Sequence, residues 1–255
     1  MKVAAIIQAR MGSARLPGKV MIDIAGKPML EHVVERLKKC QRVDEIIIAT
    51  SDMPEDEVLL KFAKKRGYII SIGSVHDVLS RYLKVAREAG ADYVVRITAD
   101  CPIIDPEVVD KVIEKHLGSR DVDYTSNIWP MTFPRGLDTE IFSMEVLEKT
   151  ARLAKKDYHR EHVTIFIREH PEIFVLQNVE AEGNMRRPDL RLTVDTIEDL
   201  QLIREIYSEL YDGTNVFGIK DIIELFERKP ELAKINMHIK HKPETEVDAR
   251  YFKRG

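Results

Sequence analysis

Three basic side chains lie close together near the start of the chain, at Arg10, Arg15 and Lys19. They belong to the segment QARMGSARLPGK, residues 8–19, which follows a short apolar run. Two glycines in this segment favour a loop with exposed backbone N–H groups. Backbone N–H, guanidinium and ammonium groups are the donors that bind a triphosphate, and arginine can contact phosphate oxygens in bidentate fashion. The segment therefore predicts a phosphate-binding loop.

Two well-known phosphate-binding motifs do not match this loop. A Walker A motif has four residues between its glycines and then Lys-Ser or Lys-Thr. Here five residues separate Gly12 from Gly18, and Val20 follows Lys19. The sequence also contains no GxGxxG dinucleotide fingerprint. A solvated basic loop is the alternative, but the position directly after a predicted buried strand favours a ligand site.

Two acidic residues follow apolar segments in a similar way. Asp100 comes after residues 93–98, and Asp195 comes after residues 190–194 and before a predicted helix. Mg²⁺ in nucleotide sites takes one or two protein carboxylates together with phosphate oxygens and water. Each residue also has a structural alternative, because Asp195 could cap the helix and Asp100 could cap a turn before Pro102. Their shared position at strand ends favours a metal site.

The elements that must position these residues alternate along the first half of the chain. Apolar runs predict strands, and amphipathic stretches between them predict helices. The predicted strands are residues 3–7, 46–50, 68–71 and 93–98, and the predicted helices are residues 28–39, 55–66, 75–89 and 106–116. Such alternation indicates βαβ units and a mostly parallel sheet, so the fold class is α/β. Parallel sheets bind ligands beyond the carboxyl ends of their strands, where the loop and both acids fall.

The second half of the chain departs from this alternation. Residues 122–185 are interpreted as an insertion that supplies acceptor contacts, a subunit interface, or both. Within it we predict strands at residues 122–127, 137–142 and 173–177 and helices at residues 144–153 and 158–169. A core strand at residues 190–194 and helices at residues 197–210 and 219–226 then complete one domain, residues 1–228. The charged tail, residues 229–255, is expected to pack loosely.

The overall composition argues against several classes of protein. The 255 residues include 40 Lys and Arg and 43 Asp and Glu, so the formal net charge of −3 does not favour nucleic acid or a membrane surface. The two cysteines, Cys40 and Cys101, are too far apart for a CxxC zinc or redox motif. No stretch reaches the roughly 20 apolar residues of a membrane helix, and the N-terminal apolar run is too short for a signal peptide. We therefore expect a soluble cytoplasmic protein.

The phosphate loop also carries a family resemblance. Residues 6–19, continued by IAGKPM at residues 24–29, resemble the opening of the sugar-acid cytidylyltransferases. These include CMP-Kdo synthetases and acylneuraminate cytidylyltransferases, and the similarity is marked to the SpsF-type branch of spore-coat and surface polysaccharide biosynthesis. The resemblance implies a Rossmann-like nucleotidyltransferase fold, CTP as donor, Mg²⁺ and a homodimer.

The resemblance also implies roles for individual residues around the nucleotide. Asp100 and Asp195 would bind the metal and act in catalysis with Arg15 and Lys19. The residues implied in nucleotide binding are Gln8, Ala9, Arg10, Gly12, Ser13, Arg15, Lys19, Ser74, Arg81 and Thr98. Asp77 is a further candidate that could equally cap a helix. Thr98 departs from CMP-Kdo synthetases, which have a cytosine-reading glutamine in that place, so the preference for CTP is less firmly implied.

The acceptor would be bound by residues of the middle region. The implied set is Asn127, Arg135, Asp138, Glu140 and His162. Arg135 would bind a carboxylate, phosphate or phosphonate, while the amide and the two acids would bind hydroxyls or amines. His162 follows His159 by three residues, so both could share a helix face, and an interface or a core cluster is the alternative reading. The spacing of His159 and His162 is not that of an HExxH zinc motif, and no cysteine lies nearby in the sequence. A zinc site is therefore not indicated.

The expected reaction is an in-line displacement in which an acceptor hydroxyl attacks the α-phosphorus of CTP and pyrophosphate leaves. Three other functions stay open at this point. One is transfer of UMP or GMP to a sugar 1-phosphate. Another is a glycosyltransferase, although Asp121-Val122-Asp123 lies away from the loop in the predicted order of strands. The third is a catalytically silent nucleotide-binding protein.

Overall fold

The first strand is apolar on both faces, which is typical of the centre of a parallel sheet covered by helices. In the computed structural model, which describes residues 1–241, 243, 245–248 and 250, this strand indeed lies inside a seven-stranded sheet. The strands are β1 (Val3–Gln8), β2 (Asp23–Ile24), β3 (Lys27–Pro28), β4 (Glu45–Ser51), β5 (Ile69–Gly73), β6 (Tyr93–Thr98), β7 (Tyr124–Ser126), β8 (Glu140–Ser143) and β9 (Leu176–Asn178). The α-helices are α1 (Met29–Leu37), α2 (Glu57–Arg66), α3 (Val78–Ala89), α4 (Pro106–Leu117), α5 (Met144–Leu153), α6 (Asp157–His162), α7 (Ile165–Glu169), α8 (Ile197–Leu210) and α9 (Ile219–Arg228).

The strand order in the sheet is β5-β4-β1-β6-β8-β7-β9, while β2 and β3 form a separate two-stranded ribbon. Strands β5, β4, β1 and β6 are parallel, β8 runs antiparallel to both neighbours, and β9 is parallel to β7. The chain moves outward from β1 to β4 and β5 on one side and to β6 on the other. The expected α/β fold with a mostly parallel, helix-flanked sheet is confirmed, and its topological switch point lies between β1 and β6.

Alternate residues of β1 face two separate hydrophobic cores, as strand geometry requires. Ala5 and Ile7 belong to the core that includes residues of α1, α2, α4, α8 and α9. Ala4 and Ile6 belong to the core under α3, α5 and α7. Both faces of the sheet are therefore covered, and the open carboxyl edge is left for a ligand. No helix in the described part of the chain is long and apolar enough to cross a membrane.

Several predicted elements differ from the structure, each for a local reason. The single helix predicted over residues 158–169 is two helices, α6 and α7, because Val163 between them has a φ of 62°. The core strand predicted at residues 190–194 is wrong: this segment forms no strand and makes one isolated bridge among the described residues, between Arg135 and Arg191. The helix predicted from residue 75 begins at Val78, because the Asp77 side chain accepts a hydrogen bond from the Ser80 amide.

The first described part of the tail is packed more firmly than expected. Asn236 is buried, and its side-chain amide donates to the Arg191 carbonyl at 2.9 Å and to Asp199 Oδ1 at 2.8 Å. Loose packing is therefore wrong for this residue, whose amide ties the tail to the segment before α8. For residues 242, 244, 249 and 251–255, the expectation lies outside the described residues.

Candidate active site

A cleft of about 590 Å³ lies over the carboxyl ends of β1 and β6, at the switch point of the sheet. Most of the residues nominated from the sequence line it. These are Gln8, Arg10, Ser13, Arg15, Lys19, Thr98, Asp100, Arg135, Asp138, Glu140, His162 and Asp195. The sheet thus brings together side chains that are far apart in the sequence. The cleft places the phosphate loop on one side and the middle region of the chain on the other.

On the loop side of the cleft, Lys19 contacts both nominated acids. Its Nζ donates to Asp100 Oδ2 at 2.8 Å, to Asp195 Oδ1 at 2.8 Å and to the Val194 carbonyl at 2.7 Å. Burial alone would lower the pKa of Lys19, but the two carboxylates raise it above its ordinary value. The ammonium is therefore a permanent positive charge between the two nominated acids. Gly18, with a φ of 70°, turns the loop so that Lys19 enters the cleft.

Asp195 is surrounded by cations. Besides Lys19, Arg15 Nη2 lies 3.0 Å and Arg191 Nη2 lies 2.6 Å from its Oδ2 atom. Burial alone would raise the pKa of Asp195, but these neighbours hold it well below its usual range. Asp195 is consequently a carboxylate at every physiological pH.

The structure also shows which residue caps the helix that follows Asp195. The cap of α8 is Thr196, whose hydroxyl accepts from the Asp199 amide at 3.3 Å. Asp199 completes the capping box and accepts from the Asp195 amide at 2.9 Å. The cap alternative for Asp195 is therefore wrong. Asp199 is fully buried, and sequence reasoning did not identify it. The Thr-x-x-Asp spacing from Thr196 to Asp199, which is typical of a capping box, could have indicated its role.

Asp100 is held by the residue two positions before it. Thr98 Oγ1 donates to Asp100 Oδ1 at 2.6 Å, leaving Oδ2 for Lys19. Thr98, at the position where a glutamine was expected, thus orients the Asp100 carboxylate. Asp100 and Asp195 both contact Lys19 Nζ, so the Lys19 ammonium bridges the two carboxylates.

The phosphate loop is fastened to the sheet by an acid that sequence reasoning missed. Buried Asp56 accepts from the Met11 amide through Oδ1 at 2.6 Å and from the Ser51 amide through Oδ2 at 3.2 Å. Inside the loop, the Gly18 amide donates to the Met11 carbonyl at 2.8 Å. Arg10 points towards the tail, where its Nη2 atom lies 3.1 Å from Asp248 Oδ2. These contacts hold the loop in one conformation in this structure.

Five nominated residues are not among the described residues that line the cleft: Ala9, Gly12, Ser74, Arg81 and Asn127. Arg81 is buried under the loop that precedes α3 and donates to the Ser74 carbonyl at 2.9 Å. Burial lowers the pKa of Arg81 to about 10, so it stays charged. Asn127 is also buried, and it bridges the Leu137 carbonyl and the Thr139 amide. In this conformation Arg81 and Asn127 hold backbone segments in place and do not line the cleft.

On the side of the cleft formed by the middle region, Glu140 is buried. Glu140 accepts from Arg96 Nη1 through Oε1 and from the Tyr124 hydroxyl through Oε2, the latter at 2.6 Å. Burial would raise the pKa of Glu140, but Arg96 and Arg168 lower it below its ordinary value. Arg96 and Arg168 both line the cleft and were missed from the sequence. An arginine inside the otherwise apolar strand at residues 93–98 was the available signal for Arg96.

The remaining acceptor candidates lie closer to the cleft mouth. Arg135 Nη1 lies 3.8 Å from Asp138 Oδ2, and the Gly136 amide donates to Asp138 Oδ1 at 3.1 Å. Burial raises the pKa of Asp138. His162 Nε2 lies 3.0 Å from the Glu246 carbonyl of the tail. His159 is instead buried, and its Nε2 atom lies 2.7 Å from Glu169 Oε2. This agrees with the alternative interpretation of His159 as part of a core cluster.

The chain is similar to known proteins over most of its length. Residues 4–223 match the family model described as Cytidylyltransferase. The spore coat polysaccharide biosynthesis protein SpsF of Bacillus subtilis is 35% identical over 233 residues, which cover 89% of this chain and 95% of SpsF. A 3-deoxy-manno-octulosonate cytidylyltransferase of Trichlorobacter lovleyi is 38% identical over 120 residues, 47% of this chain and 46% of that enzyme.

A solved structure extends the likeness to three dimensions. A cytidylyltransferase from Leptospira borgpetersenii superposes with a TM-score of 0.88 at 33% identity, covering 94% of this chain and 100% of that one. The matched residues include the phosphate loop and both acids of the cleft, since all fall within residues 4–223. This chain belongs to the cytidylyltransferase family and is a nucleotidyltransferase.

Proposed function

We propose that the protein is a Mg²⁺-dependent cytidylyltransferase that transfers CMP from CTP to a hydroxyl of a sugar acid or related acceptor, releasing pyrophosphate. The observation that carries this proposal is the convergence of Asp100 and Asp195 on Lys19 Nζ beside the phosphate loop. The names of two relatives, SpsF and a 3-deoxy-manno-octulosonate cytidylyltransferase, support a nonulosonate-like acceptor and a role in surface polysaccharide or glycoconjugate biosynthesis.

The residues at this point of the cleft fit a magnesium ion. The described residues contain no group of three or more His, Cys, Asp or Glu side chains that could hold a metal by themselves. Mg²⁺ bound with a nucleotide needs fewer, because phosphate oxygens and water complete its shell around one or two carboxylates. Asp100 and Asp195 would hold it. Bound there, the ion would stabilise negative charge on the attacking and phosphate oxygens.

The basic side chains of the loop supply the rest of the charge. Arg15 and Lys19 lie beside the two acids, and we place the β- and γ-phosphates against them and Arg10. Phosphoryl-type transfer needs little covalent chemistry from the protein, so fixed positive charges and correct positioning provide most of the acceleration. Arg10 must exchange Asp248 for a phosphate when the triphosphate enters.

The acceptor would enter from the side of the cleft that carries Arg135, Asp138, Glu140 and His162. This side and Asp100 line the same cleft. We place an acceptor hydroxyl there, from which it would attack the α-phosphorus as the bond to pyrophosphate breaks. We also place the enzyme in the cytoplasm as a homodimer, with residues 122–185 as the insertion that supplies acceptor and subunit contacts. Light scattering of the purified chain tests the dimer.

The test of the reaction is pyrophosphate release with CTP, UTP, GTP or ATP, Mg²⁺, and a panel of sugar acids, phosphonates and sugar 1-phosphates. Acceptor-dependent release with CTP alone is expected. Release with UTP or GTP and a sugar phosphate would instead assign the enzyme to uridylyl or guanylyl transfer.

The matched variant is Asp100→Asn, which keeps the size of the side chain but removes one metal-binding charge. We expect a loss of at least about 100-fold in turnover, because electrostatic contacts to the reacting groups typically contribute that much. Asp189→Asn, on an exposed ion pair with Arg187, is the control. Wild-type turnover by the Asp100 variant in Mg²⁺ would disprove the assigned role.

A further inference from the structure

The C-terminal part of the described chain lies along the cleft and contacts both of its sides. His241 Nε2 lies 3.4 Å from Arg135 Nη1, and the Glu246 carbonyl lies 3.0 Å from His162 Nε2. Arg250 Nη2 donates to the Gly12 carbonyl of the phosphate loop at 2.6 Å. These contacts form a strap from the acceptor candidates to the phosphate loop. The strap residues that line the cleft are His241, Pro243, Glu246, Val247, Asp248 and Arg250.

The strap follows a fixed point outside the cleft. Buried Asn236 donates to the Arg191 carbonyl and to Asp199, and its own carbonyl accepts from the Ile239 amide at 2.9 Å. These hydrogen bonds do not involve the residues of the strap. The strap can therefore leave the cleft while the anchor at Asn236 stays in place.

Asp248 joins the strap to the phosphate-loop arginine. Its Oδ2 atom lies 3.1 Å from Arg10 Nη2 and 2.6 Å from Arg250 Nη2, and its Oδ1 atom accepts from Arg250 Nε at 2.9 Å. Burial would raise the pKa of Asp248, but Arg250 and Arg10 hold it below its ordinary value. The carboxylate thus lies between two guanidinium groups, which is an arrangement in which arginine also binds phosphate oxygens.

Arg10 faces a second carboxylate as well. Glu161 Oε1 lies 3.9 Å from Arg10 Nη2, and Glu161 Oε2 accepts from the Asp248 amide at 2.9 Å. Glu161 belongs to α6, whereas Asp248 belongs to the strap, so Asp248 is the acid that can move away from Arg10. The other carboxylates that line the cleft are Asp100 and Asp195, which face Lys19, Glu140, which faces Arg96, Asp138, which faces Arg135, and Glu246 of the strap itself.

We propose that the strap is autoinhibitory: Asp248 occupies the place of a phosphate against Arg10, and a triphosphate displaces it on entering the cleft. Two anions in contact with the same guanidinium repel each other, so the carboxylate and a phosphate exclude one another there. The apparent dissociation constant is then the intrinsic constant divided by the fraction of molecules in which the strap is open. This inference rests on the proposed binding of a nucleoside triphosphate at the loop and does not depend on which acceptor reacts.

The binding test uses Asp248→Asn, which keeps the size of the side chain and removes its charge. Calorimetric titration of the full chain with CTP and with inorganic tripolyphosphate, both with MgCl₂, should show binding about three- to tenfold tighter than to wild type. Asp189→Asn, on the exposed ion pair with Arg187, is the matched control and should bind both ligands as wild type does.

The titrations are repeated in about 50 mM and about 300 mM NaCl, because salt screens repulsion between distant charges. A gain in affinity that persists at the higher salt concentration supports direct competition for Arg10. A gain that disappears there would assign the effect to long-range repulsion and overturn the inference. Affinities of Asp248→Asn equal to or weaker than those of wild type would also overturn it.

A second readout follows the strap itself and separates this inference from the proposed reaction. The Asp248 amide donates to Glu161, and the Glu246 amide donates to the Pro243 carbonyl at 3.0 Å. Hydrogen exchange of residues 245–248, measured by mass spectrometry, should speed up when tripolyphosphate or CTP binds wild type, while exchange of Ile239 beside the anchor should not change.

Faster exchange of residues 245–248 supports the inference even if no acceptor turns over, which would count against the reaction only. Unchanged or slower exchange with ligand bound would overturn the displacement of the strap and leave the reaction standing if turnover is seen. Failure of both ligands to bind wild type and Asp248→Asn would overturn this inference and the proposed donor site together.

Discussion

Replacing Lys19 with methionine removes a cation that bridges Asp100 and Asp195 while keeping a similar side-chain volume. The ammonium makes three hydrogen bonds, of 2.7–2.8 Å, to Asp100, Asp195 and the Val194 carbonyl. Removing one partner of a buried ion pair typically destabilises a protein by about 3–5 kcal/mol. Asp195 keeps Arg15 and Arg191 as partners, so we expect the lower end, about 3 kcal/mol.

Magnesium should restore part of this loss, because a divalent cation can take the place of the ammonium between the carboxylates. The stabilisation follows RT ln(1 + [Mg²⁺]/Kd), which is about 1.4 kcal/mol at ten times the dissociation constant. Wild type should gain much less without nucleotide, since Lys19 already occupies the position between Asp100 and Asp195. If the phosphates lie beside Lys19 as proposed, turnover with CTP should also fall by at least about 100-fold, because that charge is lost.

The assay is urea unfolding of wild type and Lys19→Met, with MgCl₂ and with NaCl at equal ionic strength. Lys27→Met is the matched control, because Lys27 Nζ contacts the Tyr211 hydroxyl at 3.0 Å, outside the cleft. The double variant Lys19→Met/Asp195→Asn should lose the magnesium effect, because one carboxylate of the pair is gone. Equal magnesium responses in wild type, Lys19→Met and the control would refute the reasoning that these acids form a cation site.

Three further substitutions test the frame of the cleft. Gly136→Ala should lower both stability and acceptor kcat/KM, since Gly136 has a φ of 107° and an added Cβ would lie 2.5 Å from the Leu192 carbonyl carbon. Thermal unfolding and steady-state kinetics measure the two effects, and an unchanged Tm would contradict the predicted clash. Asp199→Ala should destabilise the protein by about 3 kcal/mol, because it leaves the buried Arg191 guanidinium without its 2.9 Å partner. Urea unfolding measures this change, and a decrease in the free energy of unfolding below about 1 kcal/mol would show that the ion pair contributes little to stability. Burial lowers the pKa of His116 from its ordinary 6.5 to about 4, so between these pH values the unfolded chain binds a proton that the folded chain does not. Stability should therefore fall by about 1–2 kcal/mol from pH 7 to pH 5, and His116→Gln should show a correspondingly smaller fall; equal slopes for both proteins would remove His116 as the cause.

The chemistry of the phosphate side could be read from the sequence because its residues are local and carry distinct types. Arg10, Arg15 and Lys19 lie in one loop, and the loop follows a strand whose apolar run is unmistakable. Asp100 follows β6, and the carboxyl ends of parallel strands meet at one edge of the sheet. Periodicity and position were therefore enough to place these four residues in one cleft. Asp195 was expected there as the end of a strand that residues 190–194 do not form; the Val194 amide instead donates to the Asp100 carbonyl at 2.8 Å and holds this segment beside Asp100.

Other parts of the cleft depend on contacts between distant segments, which no local pattern encodes. The segment at residues 190–194 has the apolar composition of a strand, yet its tertiary neighbours allow it only one bridge, to Arg135. The break at Val163, which has a φ of 62°, was likewise not predicted, since residues 158–169 have the composition of one helix.

By itself, the sequence determined the α/β class and the basic loop after β1, because each depends on short-range periodicity, turn chemistry or residue type. Only the tertiary structure decided that Lys19 bridges the acids and that Thr98 orients Asp100. It also decided that Arg96 and Glu140 meet on the floor of the cleft. These outcomes depend on strand register and on the balance of buried charge, which exist only once segments far apart in the chain are packed together.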